Sequence, residues 1–419
     1  MRQLIKMSLA FSLALVCPLL SLAQGNNSGM GGSDDNVQSL ADCLTRLEKK
    51  SDAFNLYFNY SAAFQSEHNS KTEAWTSHFA TKQLRMEIKG NLTDRLFYRL
   101  RHRLNKSTDA QGEDNFAKAT DIMMVGYHLD RRWTVMGGKM VQIWGGFEFD
   151  ENPVYIYQFS DMCDNIDPFQ AGLVVSYKPV PTQEVAVEVS NASNGKLKDD
   201  YGDGAMVVNR VEGDRFVGEP LTQAGHPLTY IINWNGSFFS GVLNTRWAWG
   251  IQTQARHRYS RMLTLGQQLC LPRLQWYVDY TGTWDDLDRF RIATNDIVPI
   301  VATSSDGHDQ ADGLPAMYLG KVHYNSFVSK ANWQFAPRFN LMLKAMYETA
   351  DVSQSHTYGH YRASYGYMGC VEYYPVPRQD LRVFLAFIGR HYDFSRLSTL
   401  PDYSTQRIEL GFMYRIKAF

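Results

Sequence analysis

Apolar and polar positions alternate along most of the chain. Phe54, Leu56, Phe58, Tyr60, Ala62 and Phe64 fall on one parity, with polar or small residues between them. The same period returns in Leu84-Met86-Ile88, Leu96-Tyr98-Leu100, Met123-Val125-Tyr127-Leu129, Val185-Val187-Val189, Leu228-Tyr230-Ile232-Trp234 and Thr245-Trp247-Trp249-Ile251. It continues through Leu274-Trp276-Val278-Tyr280, Leu341-Leu343-Ala345-Tyr347, Tyr365-Tyr367-Gly369-Val371-Tyr373 and Leu381-Val383-Leu385-Phe387. A period of two places alternate side chains on opposite faces of a strand, so these segments are strands with one apolar face.

Connection lengths add a second pattern. Short turns fall at 91–94, 130–132, 178–182, 235–240, 270–272, 336–338 and 375–380. Mostly longer connections lie between them, at 67–73, 105–117, 142–169, 192–227, 255–261, 282–317, 350–361 and 391–404. Short turns at one end and longer loops at the other are the rule for transmembrane barrels, and a soluble sandwich has no reason to sort its connections this way. The expected fold is all-β, a transmembrane antiparallel β-barrel of about 16 strands over 53–419, with both termini on the short-turn side.

The first 52 residues break the period. Arg2 and Lys6 precede an apolar stretch from Met7 to Leu20, and Ser21-Leu22-Ala23 offers small residues for cleavage. Residues 1–23 therefore read as a secretory signal peptide. Residues 24–36 form a Gly/Asn/Ser/Asp linker. Val37, Leu40, Leu44 and Leu47 then predict a short amphipathic periplasmic helix over 37–51, which either packs under the barrel or contacts other subunits. No later apolar run reaches the length of a membrane-spanning helix, so any membrane crossing must use strands.

Composition agrees. Aromatics make up 13% of the chain while mean hydropathy is only −0.35, as expected for apolar-out, polar-in strands with aromatic girdles. A net charge of −1 gives no support for a nucleic-acid partner. Cys43, Cys163, Cys270 and Cys370 lack metal-ligand spacing and read as isolated thiols. No GxSxG, HExxH, P-loop or GxGxxG stands in a suitable context, so no enzyme, catalytic residue, metal or cofactor is expected. The chain ends in Phe419, whose parity opposes Ile408-Leu410-Phe412-Tyr414-Ile416, which predicts a one-residue bulge or frayed end.

Four stretches carry a family resemblance: GNLTDRLFYRLRHRLN at 90–105, GGFEFDENPVYIYQFSD from Gly145 to Asp161, WYVDYTGTWDDLD from Trp276 to Asp288, and FNLMLKAMYETA from Phe339 to Ala350. They resemble the phosphate-selective porin O/P family in its Bacteroidetes branch. The resemblance implies a sixteen-stranded outer-membrane porin of a Gram-negative bacterium, commonly a homotrimer, with loops folded inward. It implies passive diffusion of small hydrophilic solutes, with phosphate or other oxyanions among them. The dense lysine-rich entrance of the phosphate-selective members has no counterpart here, since the loops are rich in Asp and Asn instead (Asp199-Asp200, Asp285-Asp286).

Phasing the strands against lipid assigns a lumen. Arg95, Arg99, Arg101 and Arg103 form one inward column, and Arg246, Arg273, Lys344, Arg382, Arg390 and Arg407 face inward elsewhere. Inward acids are Glu184, Glu188, Asp279, Glu348, Glu372 and Glu409. Guanidinium groups stay charged and offer fork-like donors to oxyanions, so a basic column favours anions. The best constriction candidate is 142–169. Gly145 and Gly146 permit a chain reversal, Asn152-Pro153 stiffens the bend, and Glu148, Asp150 and Glu151 would meet the Arg column. A loop merely covering the mouth is the alternative. For the whole chain the alternative function is a structural or adhesive surface barrel whose long loops bind partners.

Overall fold

The computed structural model describes residues 53–111, 114–212, 215–304, 316–376 and 379–419. The expected signal peptide (1–23), linker and helix (24–52) lie outside the described residues.

Sixteen strands close a barrel. They are β1 (Asn55–Asn69), β2 (Ala74–Asn91), β3 (Leu96–Arg103), β4 (Thr120–His128), β5 (Trp133–Val141), β6 (Phe169–Val180), β7 (Gln183–Asn191) and β8 (Leu228–Phe238). The second half comprises β9 (Leu243–Ala255), β10 (Arg258–Leu271), β11 (Leu274–Asp285), β12 (Val322–Ala336), β13 (Phe339–Val352), β14 (Arg362–Tyr373), β15 (Asp380–Phe394) and β16 (Tyr403–Lys417). Each pairs antiparallel with the next, and β16 returns to β1 with Tyr57 opposite Lys417. Closure leaves no terminal strand unpaired, which a bilayer demands because lipid offers backbone groups no hydrogen bonds.

The apolar parity faces out. Val185, Val187 and Val189 on β7, Leu343 and Tyr347 on β13, and Val383, Leu385 and Phe387 on β15 are all exposed. Among the described residues no helix is long and apolar enough to cross a membrane. Aromatic pairs mark the turn end of the apolar band, as in Trp133–Tyr177 (4.5 Å between centroids), Phe339–Tyr373 (4.9 Å) and Trp234–Trp247 (5.1 Å). Ring pairs containing histidine mark the loop end, with Trp284–His323 and His68–Trp75 each at 5.1 Å. This is the two-girdle arrangement of outer-membrane barrels.

The predicted rotation of turns and loops holds with one exception. β9 and β10 are joined only by Arg256 and His257 on the loop side, His257 taking a positive φ of 58°. The C-terminal bulge is present. The Leu56 carbonyl accepts both the Ala418 N–H (2.9 Å) and the Phe419 N–H (3.3 Å), so two residues oppose one. The Phe419 ring thereby meets Phe54 on the outer face, 5.7 Å between centroids. On the loop side, Met206–Glu212, Arg215–Pro220 and Met317–Leu319 make a small sheet, and the helix Ile292–Ser304 packs beside it.

Candidate pore and its constriction loop

Residues 142–168, between β5 and β6, fold into the barrel. Gly145 and Gly146 adopt φ of +72° and +74°, and a Cβ on Gly145 would sit 3.1 Å from the Ala248 backbone nitrogen. Only glycine lets the chain run this flat against the wall. Asn152 caps the short Pro153–Tyr155 turn by accepting the Val154 N–H at 3.2 Å. Ser160 caps the one-turn helix Asp161–Asp164, its Oγ accepting the Cys163 N–H at 3.3 Å.

The loop follows the inner wall from β7 round to β2. The Ile143 N–H donates to Glu188 (2.8 Å), and the Phe147 and Glu148 N–H groups both donate to Asp279 (2.8 Å). The Asp161 N–H donates to Glu348 (2.7 Å), the Tyr157 hydroxyl donates to Glu372 (2.7 Å), and Lys82 donates to the Tyr157 carbonyl (3.3 Å). Inward acids predicted on the strands thus serve chiefly to fasten the loop's backbone.

The loop's own acids do not meet the Arg column. Glu148 pairs with Lys344, Asp150 with Arg246 and Glu151 with Lys330, all on the facing wall. Once the glycines have pressed the chain against β9 and β10, its next residues reach β11 to β13 rather than β3. Glu148 also accepts the Ser160 N–H (2.9 Å) and hydroxyl (2.6 Å). Burial pushes its carboxyl up, but Lys344 and the Ser160 bonds outweigh that and hold it below the usual carboxylate value. Glu151 lacks such support, and burial raises its carboxyl despite Lys330.

Eight of the ten predicted basic residues lie on the inner wall. Beyond Lys344 and Arg246, Arg382 pairs with Glu372 (3.0 Å), Arg390 with Asp161, and Arg407 with Glu409 (2.5 Å). Arg390 and Arg407 also donate to the loop carbonyls of Phe159 (2.9 Å) and Tyr157 (3.1 Å). Arg95 and Arg273 need correction. Arg95 sits in the β2–β3 turn and Arg273 in the β11 entry turn, and both are exposed. The alternation had been carried one position beyond each strand, and the inward position at the foot of β3 belongs to Phe97, 2% exposed.

The Arg99, Arg101 and Arg103 column is present and is half of a two-strand patch. Strand register sets Arg103 opposite Arg85, Arg101 opposite Glu87 and Arg99 opposite Lys89. Arg99 pairs with Glu87 at 2.7 Å. Arg103 (2.7 Å), Arg101 (3.3 Å) and Arg85 (3.4 Å) all converge on Asp121 of β4. One carboxylate cannot satisfy three guanidiniums. Arg85 Nε and Nη1 and Arg101 Nε are buried within ion-pair distance at best, and none has a well-aimed hydrogen bond. Arg85, Glu87 and Lys89 were legible as the parity opposite Leu84-Met86-Ile88. Lys82 was not, because a β-bulge opposite Ser61 and Ala62 turns it inward, where it pairs with Glu409 at 2.7 Å. Lys139, beside glycines of uncertain phase, also faces in and pairs with Asp114 at 2.9 Å.

The opposite inner wall is not polar. Inward positions from β4 to β10 are Ile122, Met124, Met136, Met140, Val174, Ala186, Ile231, Ala248 and Met262. Ile143 and Trp144 of the constriction loop pack on them in one cluster with Phe290, Ile292 and Ile297 at the loop-side helix. A close-packed apolar cluster holds no water, so a hydrated path must run along β15, β16, β1, β2 and β3. Cys163, Cys270 and Cys370 are free thiols, and Cys43 lies outside the described residues. No group of three His, Cys, Asp or Glu able to hold a metal occurs among the described residues.

The family model for phosphate-selective porin O and P matches residues 54–416. No curated protein matches the sequence. Similar solved structures include the anion-selective porin of Comamonas acidovorans, with TM-score 0.56 and 9% identity over 87% of this chain and 99% of that one. The outer-membrane channel DcaP of Acinetobacter baumannii gives 0.55 and 8% over 88% and 99%. OmpF of Salmonella typhi gives 0.51 and 11% over 87% and 97%. At these identities the likeness is one of fold.

Proposed function

The chain belongs to the phosphate-selective porin O and P family, a family of outer-membrane channels, and we propose that it passes small hydrophilic solutes by passive diffusion with a mild preference for anions. The observation that carries this is Asp121 shared by Arg85, Arg101 and Arg103. Three fixed positive charges against one negative leave an excess, and guanidinium donors without a full set of partners are what an oxyanion seeks. Lys82, Lys89, Arg99, Arg407 and Arg415 extend the excess along the same wall, against Glu67, Glu87 and Glu409. Inorganic phosphate is one anion such a path would pass, without the lysine-rich entrance that would make it the preferred one. The residues 142–168 narrow the path.

The same reading has residues 1–23 removed on export, 24–52 and both chain ends in the periplasm, and 53–419 forming the barrel in a homotrimer. It assigns no catalytic role. Purified protein in a planar bilayer under a KCl gradient tests it. The reversal potential should report chloride over potassium, and replacing Arg85, Arg101 and Arg103 by Gln together should move it towards potassium. A cation-selective wild type would overturn the anion preference. A barrel that does not conduct would leave the surface-barrel alternative.

A further inference from the structure

We infer that the loop-side half of β2 is a docking edge for a second copy of this chain. The inference rests on the trimer reading above and specifies which surface makes the seam. β2 is 18 residues long but pairs with β3 only from Arg85 to Asn91. Every other barrel strand is paired on both sides to within three residues of its ends. Above Leu84, whose carbonyl accepts the Leu104 N–H at 2.9 Å, residues 74–83 leave one backbone edge open.

The open edge has the character of an interface. Residues 74–79 are exposed on both faces of the strand. Phe79 is 86% exposed, the most of the exposed large apolar residues, and Trp75 is 56% exposed. Phe79 shares its level of the outer wall with Phe64 and Leu410, through the pairs Phe64–Phe79 and Phe64–Leu410. Free edges in water are protected by charge, proline or a bulge that turns them away. The run AWTSHFAT at 74–81 has neither charge nor proline, and the bulge at Lys82 turns a side chain inward without covering the edge. At hydrocarbon depth an unpaired backbone group has no solvent partner, so protein rather than lipid must cover it.

The wall beside the edge is low. β3, β4 and β5 have 8, 9 and 9 residues, whereas β15 and β16 on the other flank of β1 have 15 each. A second barrel can therefore approach above β3 and lie against β2. Head-to-tail contacts of this kind close into rings, which suits a trimer.

The test uses the whole mature protein in detergent. A photoreactive benzoylphenylalanine at position 79 should cross-link to a second copy, and one at Ile232 on β8 should not. Phe79→Glu should weaken the oligomer by about tenfold or more, read by native mass spectrometry on material that still shows the heat-dependent gel shift of a folded barrel. Cross-linking confined to lipid or to the chain's own residues 24–52, with a trimer indifferent to Phe79→Glu, would overturn the edge assignment and leave the trimer standing. A wild type that is monomeric throughout would overturn both.

Discussion

The two halves of the inner wall obey different rules. From β4 to β10 the inward side chains are methionine, valine, isoleucine and alanine, packed under Trp144 and the loop-side helix. From β15 round to β3 they include arginine, lysine and carboxylates in numbers that no loop covers completely. The outer faces of both halves are apolar, so lipid does not distinguish them. What distinguishes them is the loop. The apolar half anchors the start of residues 142–168 by burial, and the charged half holds its later part by ion pairs. A porin needs both, because a loop without a dry anchor would not hold a constriction and a wall without excess charge would not select.

Placing charge in the dry half should have the largest effect. Met136→Glu buries an unpaired carboxylate among Met124, Met140 and Val174, and should destabilise the barrel by about 3–5 kcal/mol. Gln65→Glu on β1, close to the charged wall, should change stability by under about 1 kcal/mol. Tryptophan-fluorescence unfolding in guanidinium and micelles measures both. Equal losses would mean the halves do not differ as described.

Breaking the loop's ion pair comes next. Glu148→Gln leaves Lys344 buried without its charge partner and should destabilise by about 3 kcal/mol. Single-channel records should become noisier as the loop loosens. Adding Lys344→Met should recover most of the stability, because the double change removes both charges. No recovery would show that the pair is not the fastening.

The smallest effect should come from pH. The Glu151 carboxyl is raised by burial, so it binds its proton more tightly in the folded chain than in the unfolded one. It opposes folding above its folded value, and that opposition fades as pH falls through it. Glu148 is lowered and keeps its charge to more acid pH. Acidification therefore uncovers Lys330 before Lys344, and the reversal potential should move towards chloride as pH falls into the ordinary carboxylate range. Glu151→Gln should abolish the first part of that shift, and an unaltered titration would remove Glu151 from the path.

Much of this was legible in the residues alone. Parity two fixed which face of each strand meets lipid, and it located Arg99, Arg101, Arg103, Arg246, Lys344, Arg382, Arg390 and Arg407 on the inner side. It failed at strand ends, where Arg95 and Arg273 belong to turns, and at the β2 bulge, which reverses parity at Lys82. The glycine pair marked where the loop turns but not what its acids would meet. The expectation of a uniformly polar lumen also failed, although Met124 and Met136 stood in plain inward parity.

Alternation, signal-like leader and loop rotation thus determined the barrel, because a bilayer permits few solutions and each strand reports its own orientation. Tertiary structure alone decided the partners. Convergence of three guanidiniums on Asp121, the pairing of Glu148 with Lys344 and the open edge of β2 all depend on register and loop path. Those are set between segments distant in sequence, and no local period encodes them.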